Sequence, residues 1–163
     1  MKTLIAYAGR RGSTEKMAER IAGQIGTDAE LVNLLKQPAP VLTEFDHVIL
    51  GGSILAGSVP KAMQIFIKQE KEMLLSKKLS IFLCCLMEEQ IDQYFSRNFP
   101  EPLYSHAEQK TWLGGELVLG DHNFIVRNML KKIIGKNEDI HSLNWTAADQ
   151  LAAAAGTAAA TVK

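Results

Sequence analysis

Long apolar runs are missing from this 163-residue chain. None reaches the roughly 18 residues a membrane-spanning helix needs, which excludes an integral α-helical membrane protein. Cysteine is scarce: Cys84 and Cys85 are the two there are, and they are adjacent. Neighbouring residues of a strand point to opposite faces, so a bond between them would be strained. The expected compartment is therefore reducing and cytoplasmic. There is no excess of either charge, with 18 lysines and arginines against 18 aspartates and glutamates. No global field draws the protein to nucleic acid, and any charge-driven partner must use a local patch. The four histidines, His47, His106, His122 and His141, are scattered without the spacing of metal ligands, so no metal site is expected. No paired acid and base stands out, and no catalytic residue is assigned. The start, Thr3 to Ala8, has the look of a signal peptide, but Arg10 and Arg11 interrupt it, and Met1 is read as the mature start.

What remains is an ordinary globular composition, 47% hydrophobic and 22% charged, with room for one domain over residues 1–163. Apolar strand-like runs alternate with helical patterns. Thr3 to Tyr7 leads through Gly9-Arg10-Arg11-Gly12 into a helix with Met17, Ala18, Ile21 and Ile25 on one face, and Ser13 is placed to cap it. Ala29 to Leu34 reads as an edge strand. His47 to Leu50 ends in Gly51-Gly52-Ser53, and Pro60 opens a second helix through Phe66 and Leu74. Leu79 to Leu86 is a further strand, Glu88 to Phe99 a helix stopped by Pro100, and Thr111 to Leu117 a fifth strand around Trp112. An amphipathic helix is expected over Asp121 to Ile134, capped by Asp121, and an alanine-rich helix from Thr146.

Such alternation implies an α/β fold with a doubly wound, five-stranded parallel sheet in the order 2-1-3-4-5. In that order a ligand binds where the first and third strands diverge, outside their carboxyl ends. The loops that matter are then Ala8 to Thr14, Gly51 to Val59 and Leu86 to Gln90. The first offers backbone amides and a helix N-terminus to a phosphate, with hydroxyls at Ser13 and Thr14. It is neither a Walker loop nor a dinucleotide G-x-G-x-x-G. A phospho-acceptor receiver domain is excluded, because Ala8-Gly9 and Gly51-Gly52 stand where Mg²⁺-binding acids would be required.

Two segments, Tyr7-Ala8-Gly9-Arg10-Arg11-Gly12-Ser13-Thr14-Glu15 and His47-Val48-Ile49-Leu50-Gly51-Gly52-Ser53-Ile54-Leu55-Ala56-Gly57, resemble the flavodoxin superfamily. Within it the chain is similar to the quinone-dependent protoporphyrinogen dehydrogenase-like flavodoxin-domain proteins, through the Gly-Ser-Ile turn, Phe66, the helix at 121–134 and Trp145. The resemblance implies a flavodoxin-like fold holding FMN. Its phosphate would sit on Gly9, Arg10, Arg11, Gly12, Ser13 and Thr14. Its ring would lie between Ser53, Ile54, Leu55, Ala56 and Gly57 on one side and Leu86, Met87 and Glu88 on the other. Gly9, Arg10 and Arg11 replace hydroxyl residues usual in that family, so weaker FMN binding is expected. Neither ring loop carries an aromatic residue, and Leu55 and Met87 stand in.

An open flavin and a neutral chain favour an FMN-dependent oxidoreductase passing electrons or hydride between a small substrate and an acceptor such as a quinone. The alternatives are a flavodoxin-type electron carrier and a cofactor-free binding module on the same fold. In the 121–134 helix, Val126, Met129, Leu130, Ile133 and Ile134 form the stripe expected to pack on the domain. Arg127, Lys131, Lys132 and Phe124 are left on the outer side, for a protein partner or for peripheral contact with the inner membrane.

Overall fold

The structure is a computed structural model, described over residues 1–157. Five parallel strands form one sheet: β1 (Thr3–Ala8), β2 (Ala29–Asn33), β3 (His47–Ser53), β4 (Lys78–Cys84) and β5 (Gln109–Trp112). Their order is β2-β1-β3-β4-β5, as the alternation of strands and helices requires. Pairing is parallel and unslipped, from Thr3 beside His47 to Ala8 beside Gly52, and from His47 beside Lys78 to Ser53 beside Cys84.

Strand alternation divides the core into two layers. Leu4, Ala6, Val48, Leu50, Ile81 and Leu83 point to one face. That face is covered by α2 (Lys61–Ser76), through Met63, Phe66, Ile67 and Leu74, and by α3 (Ile91–Asn98) and α4 (Glu101–His106), through Phe95 and Leu103. Ile5, Tyr7, Ile49, Phe82 and Cys84 point to the other. There α1 (Ser13–Ile25) brings Met17, Ala18 and Ile21, and the last helix, Trp145–Thr157, brings Ala148, Leu151, Ala152 and Ala155. Because β1, β3 and β4 are covered on both faces, they read as unbroken apolar runs.

Several boundaries and caps expected from the sequence need correction. The fifth strand does not run on to Leu117. It ends at Trp112, and after Leu113 the chain turns out of the sheet as β6 (Gly114–Leu117), which pairs antiparallel with β7 (Ile140–Leu143). Gly114 is the pivot: its φ is +77°, and a Cβ there would stand 1.8 Å from the Ser142 carbonyl oxygen. The helix expected over 88–99 begins with a 3-10 turn at Glu88–Gln90, and α4 follows Pro100. The helix expected from Asp121 is α5 (Phe124–Ile134), and Asn123 caps it, its side chain accepting from the Val126 amide at 3.0 Å. Asp121 instead lies in the preceding 3-10 turn, Leu119–Asp121. The terminal helix, α6 (Trp145–Thr157), starts one residue before Thr146.

Candidate functional site

The carboxyl ends of β1, β3 and β4 lie side by side, so the three loops named from sequence share one edge of the sheet. The first, Gly9 to Gly12, runs directly into α1. Ser13 does not cap this helix: Gly12 is the N-cap residue, with φ +93°, and no side chain accepts from the first turn. The first helical hydrogen bond is Lys16 N–H to Gly12 carbonyl at 2.9 Å, which leaves the amides of Ser13, Thr14 and Glu15 for another acceptor. Ser13 and Thr14 are buried in the mouth of the loop, while Arg10 and Arg11 are exposed.

Two features of this loop fit an anionic group. The Thr14 hydroxyl is buried with no hydrogen-bond partner of ordinary geometry, although it sits near the Cys84 thiol, a weak partner at best. Gly9 faces it so closely that a Cβ there would lie 2.7 Å from Thr14 Oγ1. A hydroxyl buried without a partner costs about 1 to 3 kcal/mol, a cost that a phosphate oxygen in the loop would remove. The first turn of α1 supplies three free amides and the positive end of its dipole to the same place.

Arg11 is turned aside. Its guanidinium meets the ring of His122, at the end of the excursion that leads to α5, with Nη1 2.9 Å from Nδ1 and also against Nε2. Partial burial first, and the Arg11 charge second, hold His122 below its usual pKa. Beyond Arg11, Glu116 of β6 accepts from Lys16 Nζ at 2.8 Å and faces His141 Nδ1 at 3.3 Å. Desolvation opposes ionisation of Glu116, but the bonds from Lys16 and His141 outweigh it and keep the carboxyl below its ordinary value. On the other side Tyr7 donates to Glu15 at 2.8 Å, and burial, reinforced by that carboxylate, pushes the phenol up to about 12.

The second loop is a tight reversal. Leu55 and Ser58 exchange two backbone hydrogen bonds, of 3.0 and 3.1 Å, around Ala56 and Gly57. Both central residues have positive φ, +50° and +80°, the geometry of a type I′ turn. It is braced from α3: Asn98 accepts from the Val59 amide at 2.9 Å and donates to the Gly57 carbonyl at 3.0 Å, while the Arg97 guanidinium lies against Gly57. Leu55, which opens the turn, is 60% exposed.

The third loop begins at Cys85, whose amide donates to the Gly114 carbonyl at 2.9 Å and whose carbonyl accepts from Trp112 Nε1 at 3.0 Å. Met87 is 46% exposed, and Tyr94 of α3 donates to Gln90 at 2.7 Å, tying the end of this loop to the helix that holds the second. Thus Leu55 and Met87 present flexible apolar side chains at the open edge, beside the exposed Glu88. Burial pushes the Cys84 thiol up to about 12 and raises that of Cys85, so neither is a thiolate at neutral pH. Among the described residues no cluster of histidine, cysteine or carboxylate is suited to hold a metal ion.

Trp112, Tyr94, Arg97, Asn98, Glu116 and His122 were not singled out from the sequence as parts of this site. Apart from Tyr94, which bonds Gln90 four residues before it, each meets its partner across a large sequence separation. Only the indole of Trp112, close to the end of its strand, carried any local hint.

The sequence profile of the Flavodoxin domain family matches residues 4–144, spanning all five strands and the three loops. The chain belongs to the flavodoxin domain family. A curated relative, protoporphyrinogen IX dehydrogenase [quinone] of Escherichia coli (strain K12), is 33% identical over 72 residues, which is 42% of this chain. The match spans 40% of the length of that relative. Among solved structures, oxidised Flavodoxin 1 from Bacillus cereus superposes with a TM-score of 0.51 at 21% identity, over 82% of this flavodoxin-domain chain and 94% of that one. The flavodiiron protein from Giardia intestinalis gives a TM-score of 0.54 at 10% identity, over 93% of this chain and 35% of that one. Identities this low speak for the fold. The three loops lie outside the carboxyl ends of β1, β3 and β4, and those of β1 and β3 meet where the strand order reverses.

Proposed function

We propose that the protein is an FMN-dependent oxidoreductase that passes electrons or hydride between a small substrate and an acceptor such as a quinone. The observation that carries the cofactor is the first loop: three free amides at an uncapped helix N-terminus around the buried, unpartnered hydroxyl of Thr14. In this reading Gly9 to Thr14 hold the phosphate, with Ser13 and Thr14 donating hydroxyl hydrogen bonds. Ser53 to Gly57 and Leu86 to Glu88 flank the ring system. When bound, FMN supplies the redox chemistry, exchanging one or two electrons with molecules that reach its ring. The chain's own work is to bind and orient. The Asn98 and Tyr94 braces fix the two flanking loops, and Leu55 and Met87 exclude water without stacking an aromatic ring over the flavin, which leaves a face open to a small molecule. That openness, with the partial match to a quinone-linked dehydrogenase, favours an enzyme over an electron shuttle.

Two measurements test the reading. FMN titrated into micromolar protein should lose fluorescence as it binds, and riboflavin, lacking the phosphate, should bind more weakly. Unchanged FMN fluorescence overturns the cofactor. If FMN binds, the flavin is reduced anaerobically and mixed with a soluble naphthoquinone. Reoxidation faster than that of free FMN supports the enzyme, and reoxidation at the rate of free FMN overturns it.

A further inference from the structure

The helix α5 is turned so that part of the stripe expected to pack on the domain faces outward. Its two ends are satisfied locally, by the Asn123 cap and by Gly135, whose amide donates to the Lys131 carbonyl at 3.0 Å. The turn it packs on most is Leu119–Asp121, immediately before it. No residue of α5 is buried. Met129 and Ile133, expected on the domain face, are 56% and 70% exposed, and Ile125 and Phe124 are 72% and 69% exposed. Val126, Leu130 and Ile134 are the apolar residues half-buried on the inner side, where Arg127 and Lys131, expected outside, are also half-buried.

Ile125, Met129 and Ile133 follow one another at intervals of four, so they form one outward stripe, with Phe124 at its N-terminal end. Four of the ten large hydrophobic residues exposed among the described residues therefore belong to one helix of 11 residues. Scattered exposed hydrophobics need no explanation, but a contiguous stripe does. The charge within the helix is of one sign. Lys132 is exposed within the stripe's arc, Lys136 follows just past the end, and α5 itself contains no acid, the nearest being Asp121 before it and Glu138 and Asp139 after it, in a chain whose charges balance overall.

From this geometry we infer that α5 is an interfacial helix that docks the protein on an anionic lipid surface, with Ile125, Met129, Ile133 and Phe124 entering the headgroup layer and Lys132 and Lys136 meeting lipid phosphates. An apolar stripe accompanied by lysines, with no acid within the helix, is the combination such helices use. At about 17 Å the helix is too short to cross a bilayer and lies along it. The Lys132 stem carries its charge towards the headgroups while its methylenes cover apolar surface. The inference stands apart from the FMN reading, since no residue of α5 belongs to the cofactor loops.

The test is sedimentation of the full chain with vesicles of phosphatidylcholine alone or mixed with phosphatidylglycerol, at low salt. Binding to the mixed vesicles and not to the neutral ones is expected. The K132Q/K136Q variant should bind about fivefold more weakly for each charge removed, and I125S/M129S/I133S should lose binding at any salt. Because these side chains face outward, thermal melting of both variants should match the parent, and FMN binding should persist in both. Should the triple serine variant melt early, I133S alone replaces it and should still weaken binding severalfold. Three outcomes overturn the inference: no sedimentation of the parent with anionic vesicles, binding indifferent to the serine changes, or a concentration-dependent dimer of the parent in ultracentrifugation that those changes abolish, which would assign the stripe to a second copy.

Discussion

Thr14 sets two measurements against each other. Its hydroxyl is buried with no hydrogen-bond partner, so Thr14→Val, which keeps the shape and removes the oxygen, should leave the stability of protein prepared without flavin unchanged or up to about 1 kcal/mol higher. The same change should weaken FMN by about 10- to 100-fold, the loss of one hydrogen bond to a charged group, and leave riboflavin nearly untouched. Denaturant unfolding without flavin and paired titrations with the two flavins check both signs. Equal loss for both flavins would mean that Thr14 does not meet phosphate. Arg11 yields a second prediction. Its guanidinium is one cause of the low His122 pKa, so Arg11→Ala should move the His122 titration upward, as read by NMR. These two residues also mark what was legible. Thr14 stood out because a hydroxyl after a glycine loop at a strand end is a local pattern. The partner of Arg11 lies 111 residues away, and nothing in either local sequence pairs them.

At the scale of elements, whatever is fixed by local periodicity was legible: strands buried on both faces, helices with one apolar side, and the order that parallel crossovers impose. What escaped was the end of the fifth strand. Residues 111–117 keep a strand-like character throughout, and a break within such a run is decided by Gly114, whose backbone conformation lets the chain leave the sheet and whose missing Cβ lets β7 approach. Gly114→Ala should therefore cost about 2 to 4 kcal/mol, well above the penalty for a surface glycine, because the clash is with backbone that cannot move aside. A shift in the urea midpoint checks it, and a change below 1 kcal/mol would show the pivot to be tolerant. α5 was misread for a related reason. A helical wheel tells which residues share a side, but not which side finds the core. The packing of the 114–143 excursion, through Gly114 and the β6–β7 pairing, turns that helix, and no pattern inside 124–134 records it. The type I′ reversal at Ala56-Gly57 was also hidden, since alanine is an unusual choice for its first position.

For the whole molecule, the strongest pH lever described lies in the core and not at the site. His47 is 2% exposed at the start of β3, with Nε2 2.9 Å from Ser80 Oγ and Nδ1 without a partner, and burial lowers its pKa to about 4. The unfolded chain takes up a proton here near pH 6.5, and the folded one only near 4, so stability is full above about 6.5 and falls as the pH drops through that window. By pH 5 the loss from this one group is about 2 kcal/mol. Denaturant midpoints at pH 7 and pH 5 measure it, and in His47→Gln the difference should shrink by most of that amount. The excursion has a consequence of another kind. It departs at Leu113 and returns at Asn144, whose amide donates to the Leu113 carbonyl at 2.9 Å, so the chain comes back to the point it left. The sheet and its two helical layers are complete on either side of that junction. A single protease cut in the exposed stretch 136–139 should then yield two fragments that migrate as one particle until denatured, because α6 remains packed on α1 and the sheet. The terminal helix is held by what it touches, and the covalent path to it is dispensable once folding is done.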